Sequence, residues 1–170
     1  SLDYGLSRFD HKFVFKFSPV YELPFGKGKA FLNDGRWFEN QIGGWQVSGI
    51  LTSASGFPFS VMATDNSSTG GDHDQRANQV CDGNHLSHRS FNHWFDTSCY
   101  VQPETGKLGN ERRNNIYAPG ATNVNLSLFK AFPIDKEDSV QFRTDFFSAF
   151  NHPLPQYPDN IVTDATYGQI

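Results

Sequence analysis

The chain has 170 residues, which fits one domain and is long enough to bury a core. Aromatic residues make up 15% of it, and its 17 Phe, 15 Gly and 9 Pro favour β-structure over a helical bundle. A net charge of -4 argues against a nucleic-acid partner, and the sequence has no run of 18 apolar residues that could form a membrane-spanning helix.

Four segments alternate apolar and polar residues with a period of two, which is the pattern of β-strands. In chain order they cover about residues 9–23, 44–61, 122–133 and 139–151. Each segment has a polar face and an apolar face that is rich in aromatic residues. The predicted apolar faces carry Phe13, Phe15, Phe17, Leu51, Phe57, Leu126, Leu128, Phe142 and Phe146.

The connections between these strands differ in length. A short polar turn at 133–138 joins the third and fourth strands, so these two must pair antiparallel, and we expect the first two to do the same. In the connection between the first and second strands, a short helix is expected near 36–42. The connection between the second and third strands, about residues 61–121, is polar and shows no sustained periodicity. The alternation shifts at Phe129 and Lys130, which predicts a β-bulge.

The alternation alone fits two kinds of sheet. A soluble antiparallel sheet turns its apolar face to a core, whereas an outer-membrane barrel turns it to lipid and its polar face to a wet lumen. The predicted strands reach the ~9–11 residues that cross a bilayer, and a loop of about 60 residues is unusual in a compact soluble domain. The sequence therefore predicts an all-β fold with long antiparallel hairpins, one long loop and a partial, unclosed barrel.

The two cysteines, Cys81 and Cys99, lie 18 positions apart in the long polar stretch. An even pair in such a loop indicates a disulfide formed in an oxidising compartment. The alternative is a pair of unrelated thiols in a reducing compartment. We favour the disulfide because the surrounding loop is too polar to bury a thiol.

The sequence offers little catalytic or metal-binding chemistry. Asp72 and Asp74 are the candidate calcium ligands in the loop, but they follow no EF-hand order. The glycine-rich run at 25–29 lacks the ending of a phosphate-binding loop, and no nucleophile elbow surrounds Ser53 or Ser55. We expect a non-enzyme without catalytic residues, metal or cofactor.

Several short phrases along the chain resemble the late barrel strands of Oar-like TonB-dependent outer-membrane receptors of the acidobacterial type. They occur in the family's order and span nearly the whole chain. The phrases are FDHKFV at 9–14, YELPFGKG at 21–28, GGWQVSGI at 43–50, SGFPF at 55–59, WFDT at 94–97, NLSLFK at 125–130 and QFRTDFFSAFNHP at 141–153.

The resemblance implies the C-terminal barrel segment of such a receptor, at the bacterial outer membrane or cell surface. Receptors of this kind close a barrel of about 22 strands around a plug, and four strands cannot close one. The chain alone is then not competent for transport, and we expect the plug and the other strands to lie outside it. Its expected partners are outer-membrane lipid or other copies of itself.

Two other functions fit the same sequence. Exposed strand edges pair with other chains, so a released segment could assemble by β-strand addition into an extracellular filament. A secreted β-sandwich that binds carbohydrate is the third interpretation. The three interpretations differ in what the Phe-rich faces contact: lipid in the barrel, another subunit in the filament, or an internal core in the β-sandwich.

Overall fold

The computed structural model describes residues 4–32, 43–66, 74–134 and 138–170. Its internal contacts divide the chain into two compact units. The sheet unit comprises Val14–Ser53 and Thr122–Pro153, and the loop unit comprises Ser1–Phe13, Ala54–Ala121 and Leu154–Ile170. The single segment predicted from the sequence therefore contains two folded parts.

The described residues are all-β apart from a 3₁₀ turn at Thr97–Cys99. None of the described elements is a helix with the length and apolar character that crossing a membrane requires. In chain order the strands are β1 Val14–Phe17, β2 Val20–Glu22, β3 Trp45–Ala54, β4 Pro58–Phe59, β5 Met62–Ala63, β6 Gln75–Arg76, β7 Asn78–Gln79, β8 Tyr100–Val101, β9 Ile116–Tyr117, β10 Ala121–Pro133 and β11 Ser139–Phe146.

One open sheet organises the sheet unit. Its strand order is β1-β3-β10-β11, and β2 also pairs with β3. β2 runs antiparallel to β3 with Tyr21 opposite Val47, and β10 runs antiparallel to β11 from Leu126 opposite Phe146 to Pro133 opposite Ser139. Both predicted antiparallel pairings and the predicted all-β class are confirmed.

The first predicted strand, about 9–23, is interrupted. β1 ends at Phe17 and β2 begins at Val20, with Pro19 between them. Proline has no N–H to donate to a strand ladder, so it breaks the regular pairing. Its carbonyl still accepts a hydrogen bond from the backbone N–H of Gly49 in β3, so the segment stays attached to the sheet across the break.

The second predicted strand, 44–61, is also too long. β3 ends at Ala54, and Pro58–Phe59 forms a separate strand that pairs with β9 in the loop unit. Between them the chain passes so close to the carbonyl of Ala118 that a Cβ on Gly56 would lie 1.8 Å from its oxygen. Only glycine fits there, and the chain leaves the sheet at this point.

The third and fourth predicted strands form an uninterrupted hairpin. Its register contains no bulge at Phe129 or Lys130, so that prediction is wrong. β11 ends at Phe146 rather than near 151, because Ser148 and Asn151 both adopt a left-handed backbone with φ of 48°. The short helix expected near 36–42 lies outside the described residues.

The long polar stretch folds around a core of its own. Three pairs of two-residue strands, β4–β9, β5–β6 and β7–β8, hold it together. Residues 154–170 return to it: the N–H of Met62 donates to Asn160 O, and that of Trp94 donates to Gly168 O. The buried core residues of the loop unit are Phe59, Val61, Ala63, Ala77, Phe95, Cys99, Tyr100, Ile116 and Ala118.

The predicted disulfide between Cys81 and Cys99 is present, with the two Cα atoms 4.7 Å apart. Cys99 is buried at the end of the 3₁₀ turn, while Cys81 is exposed. The side chain of Asp96 caps this turn by accepting a hydrogen bond from the N–H of Ser98 at 3.0 Å. The disulfide therefore ties an exposed segment to the core of the loop unit.

Removing the disulfide with Cys81→Ser should destabilise the loop unit by about 3 kcal/mol, the chain-entropy value for an 18-residue separation. This variant leaves the buried Cys99 in place, so packing changes little. Urea unfolding combined with limited proteolysis of 54–121 measures the effect, and the reduced native protein should match the variant. Unchanged protease resistance in both samples would contradict the expectation.

Candidate functional site

One face of the open sheet carries a hydrogen-bonded polar network. The register of β10 and β11 sets Ser127 opposite Asp145, and the Ser127 hydroxyl donates to Asp145 Oδ1 at 2.5 Å. Arg143 lies two residues away on the same face and donates from Nε to the same oxygen at 3.0 Å. All three groups are hydrogen-bonded while remaining partly exposed, as suits a surface in contact with water.

The network extends along the sheet in both directions. The Ser148 hydroxyl donates to Asn123 Oδ1 at 3.0 Å, and its backbone N–H donates to Asn125 Oδ1 at 3.0 Å. Near the other edge, Glu22 accepts hydrogen bonds from Gln46 at 3.2 Å and Lys29 at 2.6 Å. This face of the sheet carries polar groups from β2 to the end of β11, and Val20 and Phe129 are apolar residues among them.

The opposite face is apolar and exposed. Phe142 and Phe146 are each about half exposed, and the ring of Phe142 packs edge-on against Trp45 at a centroid distance of 5.8 Å. Phe15 and Phe17 in β1 are also about half exposed, with stacked rings 6.5 Å apart. Large aromatic side chains at this exposure indicate a face that meets an apolar phase or another surface.

The remaining predicted apolar residues divide between the two units. Leu51, Leu126 and Leu128 are half-buried in the strands of the sheet unit. Phe13 and Phe57 belong to the loop unit, where the ring of Phe57 lies 4.6 Å from that of His11. The residues predicted to form the apolar faces therefore do not all belong to the sheet unit.

Lys130 is the residue that the sequence pattern misplaced. It lies opposite Phe142 on the apolar face and is only 2% exposed. Its Nζ sits 4.6 Å from the ring centre of Phe132 and 5.5 Å from that of Trp45, so the ammonium packs against aromatic faces. The alternation of the sequence shifts at 129–130 because this lysine lies on the apolar face. The pairing of the strands continues through both residues without a bulge.

Glu111 is a fully buried acid in the core of the loop unit. Its Oε1 accepts the N–H of Val61 at 3.0 Å, and its own N–H donates to Ala77 O at 3.2 Å. Burial raises the pKa of Glu111 to about 8, although the Val61 N–H and the charge of Arg76 act in the opposite direction. A lone glutamate in a polar run gives no sequence signal of burial.

The calcium candidates do not assemble into a site in the described residues. Asp74 is exposed, and Asp72 lies outside the described part of the chain. Across residues 4–32, 43–66, 74–134 and 138–170, no group of three His, Cys, Asp or Glu side chains is placed to hold a metal ion.

An antiparallel sheet with one exposed apolar face, a face that carries polar groups, a short turn and a long folded connection is consistent with a segment of a membrane-spanning β-barrel. Residues 1–170 match the family described as outer membrane beta barrel domain, and the chain belongs to that family. Comparison with curated proteins and with solved structures gives no match. The protein is thus an outer-membrane β-barrel segment, as the sequence predicted.

The buried Glu111 should make the loop unit less stable as the pH rises. Its folded pKa of about 8 exceeds the ordinary 4.5, so between these values the unfolded chain releases a proton that the folded protein keeps. The unfolding free energy should fall by on the order of a few kcal/mol from pH 4.5 to 8. Urea unfolding across this range measures it.

Glu111→Gln should flatten that pH dependence and be the more stable protein at pH 8. Glu104→Gln is the matched control, because Glu104 is exposed and pairs only with Lys107 at 2.6 Å among its described contacts. Equal slopes for the native protein and Glu111→Gln would show that Glu111 does not titrate as stated.

Proposed function

We propose that the chain is the C-terminal barrel segment of an Oar-like TonB-dependent receptor and that it is non-catalytic. The observation that carries this is the match of the whole chain to the outer-membrane barrel family, together with the location of the resembling phrases. GGWQVSGI leads into β3, NLSLFK lies within β10 and QFRTDF lies within β11. These three strands are neighbours in the sheet.

In this proposal the apolar face turns to lipid and the polar face to the barrel lumen. Aromatic side chains such as Phe15 and Phe142 transfer favourably from water to lipid, whereas the Arg143–Asp145 pair would be costly there. The lumen keeps that pair and its Ser127 partner in contact with water. Lys130 lies on the apolar face opposite Phe142, and the rings of Phe132 and Trp45 cover its ammonium, which shields the charge from lipid.

The short turn and the long connection indicate how the segment is oriented in the outer membrane. The turn between β10 and β11 is closed by a hydrogen bond from Ile134 N to Asp138 O at 2.9 Å. Outer-membrane barrels place short turns in the periplasm and long loops outside the cell. The connection from β3 to β10 is then extracellular, which agrees with its disulfide.

Placing a charge on the apolar face should block membrane assembly. Phe142→Lys, alone or with Phe15→Lys, puts an ammonium against lipid, at a cost that is about 2–4 kcal/mol at the bilayer centre and smaller towards the interface. Gln141→Lys is the matched control, because Gln141 is the adjacent residue in β11 and points to the opposite face. The measurement is the amount of folded protein in outer-membrane fractions, seen by heat-dependent mobility in gels.

We expect normal levels for Gln141→Lys and strongly reduced levels for Phe142→Lys. Equal assembly of both variants would contradict the assignment of the faces. A native protein that needs no detergent and sediments as a polymer would instead favour the filament.

The receptor role itself is tested by uptake. Cells lacking this protein and cells lacking TonB should leave the same solute unconsumed in the medium, because a TonB-dependent receptor needs both for import. Mass spectrometry of spent medium compares each mutant with the parent strain. Consumption that is lost in the first mutant but normal in the second would support an outer-membrane protein of another type.

A further inference from the structure

A cleft of about 350 Å³ lies on the polar face of the open sheet, within the sheet unit. Backbone forms its floor, because Leu126 and Phe146 line it although their side chains belong to the opposite face. Side chains of the neighbouring positions form its walls. Those that bear on its chemistry are Ser48, Asn125, Ser127, Arg143, Asp145 and Phe147.

Phe147 is an aromatic residue on the side of the sheet that carries the polar network. It follows β11 directly and lines the cleft, and it is 80% exposed. Val20 and Ile50 line the same cleft and are also more than half exposed. Contact with lipid on the other face does not account for these side chains. Exposed apolar groups beside hydrogen-bonding side chains indicate a surface that contacts a ligand.

Hydrogen bonds hold the segment that carries Phe147 in place. The next residue, Ser148, has a left-handed backbone, and its N–H donates to Asn125 Oδ1 at 3.0 Å. The N–H of Ala149 donates to Val124 O at 2.8 Å. The chain after β11 is therefore bonded back to β10, and the Phe147 ring is positioned beside the cleft before any ligand arrives.

The charged groups of the cleft form a balanced pair. Arg143 Nε donates to Asp145 Oδ1 at 3.0 Å, and the Ser127 hydroxyl donates to the same oxygen. Arginine offers five N–H donors and a carboxylate about four acceptor sites, so these bonds use only part of their capacity. Because the two charges offset each other, the cleft favours neither an anion nor a cation.

A neutral sugar has the chemistry that suits both parts of this cleft. Each sugar hydroxyl donates and accepts hydrogen bonds, which matches the donors of Arg143 and the acceptors of Asp145. The C–H face of a sugar ring is apolar and packs against an aromatic ring such as that of Phe147. An anionic ligand would instead meet the carboxylate of Asp145, and a cationic ligand the guanidinium of Arg143.

We propose that this cleft binds one unit of a neutral carbohydrate, with the sugar ring stacked on Phe147 and its hydroxyls bonded to Arg143 and Asp145. Ligand pockets span ~300–1,000 Å³, so the small volume suits a single sugar unit of a longer chain. The inference rests on the proposed function, since it takes the polar face as the lumen wall along which a solute passes.

The test is calorimetric titration of the intact protein in lauryldimethylamine oxide, a detergent without a sugar headgroup. The neutral probes are maltotriose, cellotriose and mannotriose, and trigalacturonate is the charged comparison. We expect at least one neutral probe to bind saturably, with an affinity that salt leaves unchanged because no net charge is screened. No saturable binding of any neutral probe, or tighter binding of trigalacturonate, overturns the proposal.

Phe147→Ala should weaken binding by about tenfold or more, because it removes the stacking surface. Phe147→Trp keeps an aromatic face and should bind within about threefold of the native protein. Phe150→Ala is the matched control, because Phe150 is also exposed, follows β11 and is absent from the cleft lining. Equal losses for Phe147→Ala and Phe150→Ala would overturn the site.

Arg143→Gln removes the charge and most of the donors of this side chain, so binding should weaken by about tenfold. Native-like binding by this variant would overturn the assigned contact. Heat-dependent mobility in gels checks that each variant is folded, and only folded variants are compared.

The outcomes for this site and for the receptor role are distinguishable. Absence of binding in a protein that assembles normally in the outer membrane overturns the carbohydrate site alone. Saturable binding that depends on Phe147, together with uptake that does not require TonB, supports the site and contradicts the receptor role.

Discussion

The antiparallel register between strands is the constraint on which the sheet unit depends. Because side chains alternate across a pleated strand, one register decides the face of every residue, and a slip of one would exchange the two faces. The pairing of Ser127 with Asp145 and of Lys130 with Phe142 keeps the polar network on one face and Phe142 and Phe146 on the other, while Phe129 shares the face of Arg143. A barrel wall between lipid and water needs this separation along its whole length.

The loop unit is stabilised in a different way. Its strands are two residues long, too short to order a segment alone, so its stability comes from a buried aromatic centre and a disulfide. The ring of Phe95 packs edge-on against Tyr100 at 5.9 Å and Tyr167 at 5.4 Å. Close backbone contacts add to this, since a Cβ on Gly109 would lie 1.8 Å from Arg76 O.

The sequence predicted the parts of the structure that have a periodic pattern of apolar and polar residues. It identified the sheet strands, both antiparallel pairings and the disulfide, because alternation and cysteine spacing report these directly. It overran the strand ends, since Pro19 and the left-handed Ser148 break pairing without disturbing the alternation.

The parts of the structure without a periodic residue pattern could not be predicted from the sequence. The core of the loop unit draws single residues from many segments, so 61–121 seemed only polar. Burial of Glu111 depends on contacts between residues as far apart as 61 and 111, which no local pattern encodes. Lys130 is visible in the sequence as a shift in the alternation of apolar and polar residues. Such a shift alone cannot distinguish a β-bulge from a lysine that lies on the apolar face.

The return of residues 154–170 to the loop unit has a consequence for the order of folding. Met62 is bonded to Asn160 and Ile170 to Phe91, so the loop unit closes contacts across nearly one hundred residues. Contacts at such separation form slowly because the chain must first close a large loop. An exported chain would thus hold the loop unit unfinished until the β10–β11 hairpin has passed, leaving the aromatic centre exposed to aggregation and dependent on chaperones during transit.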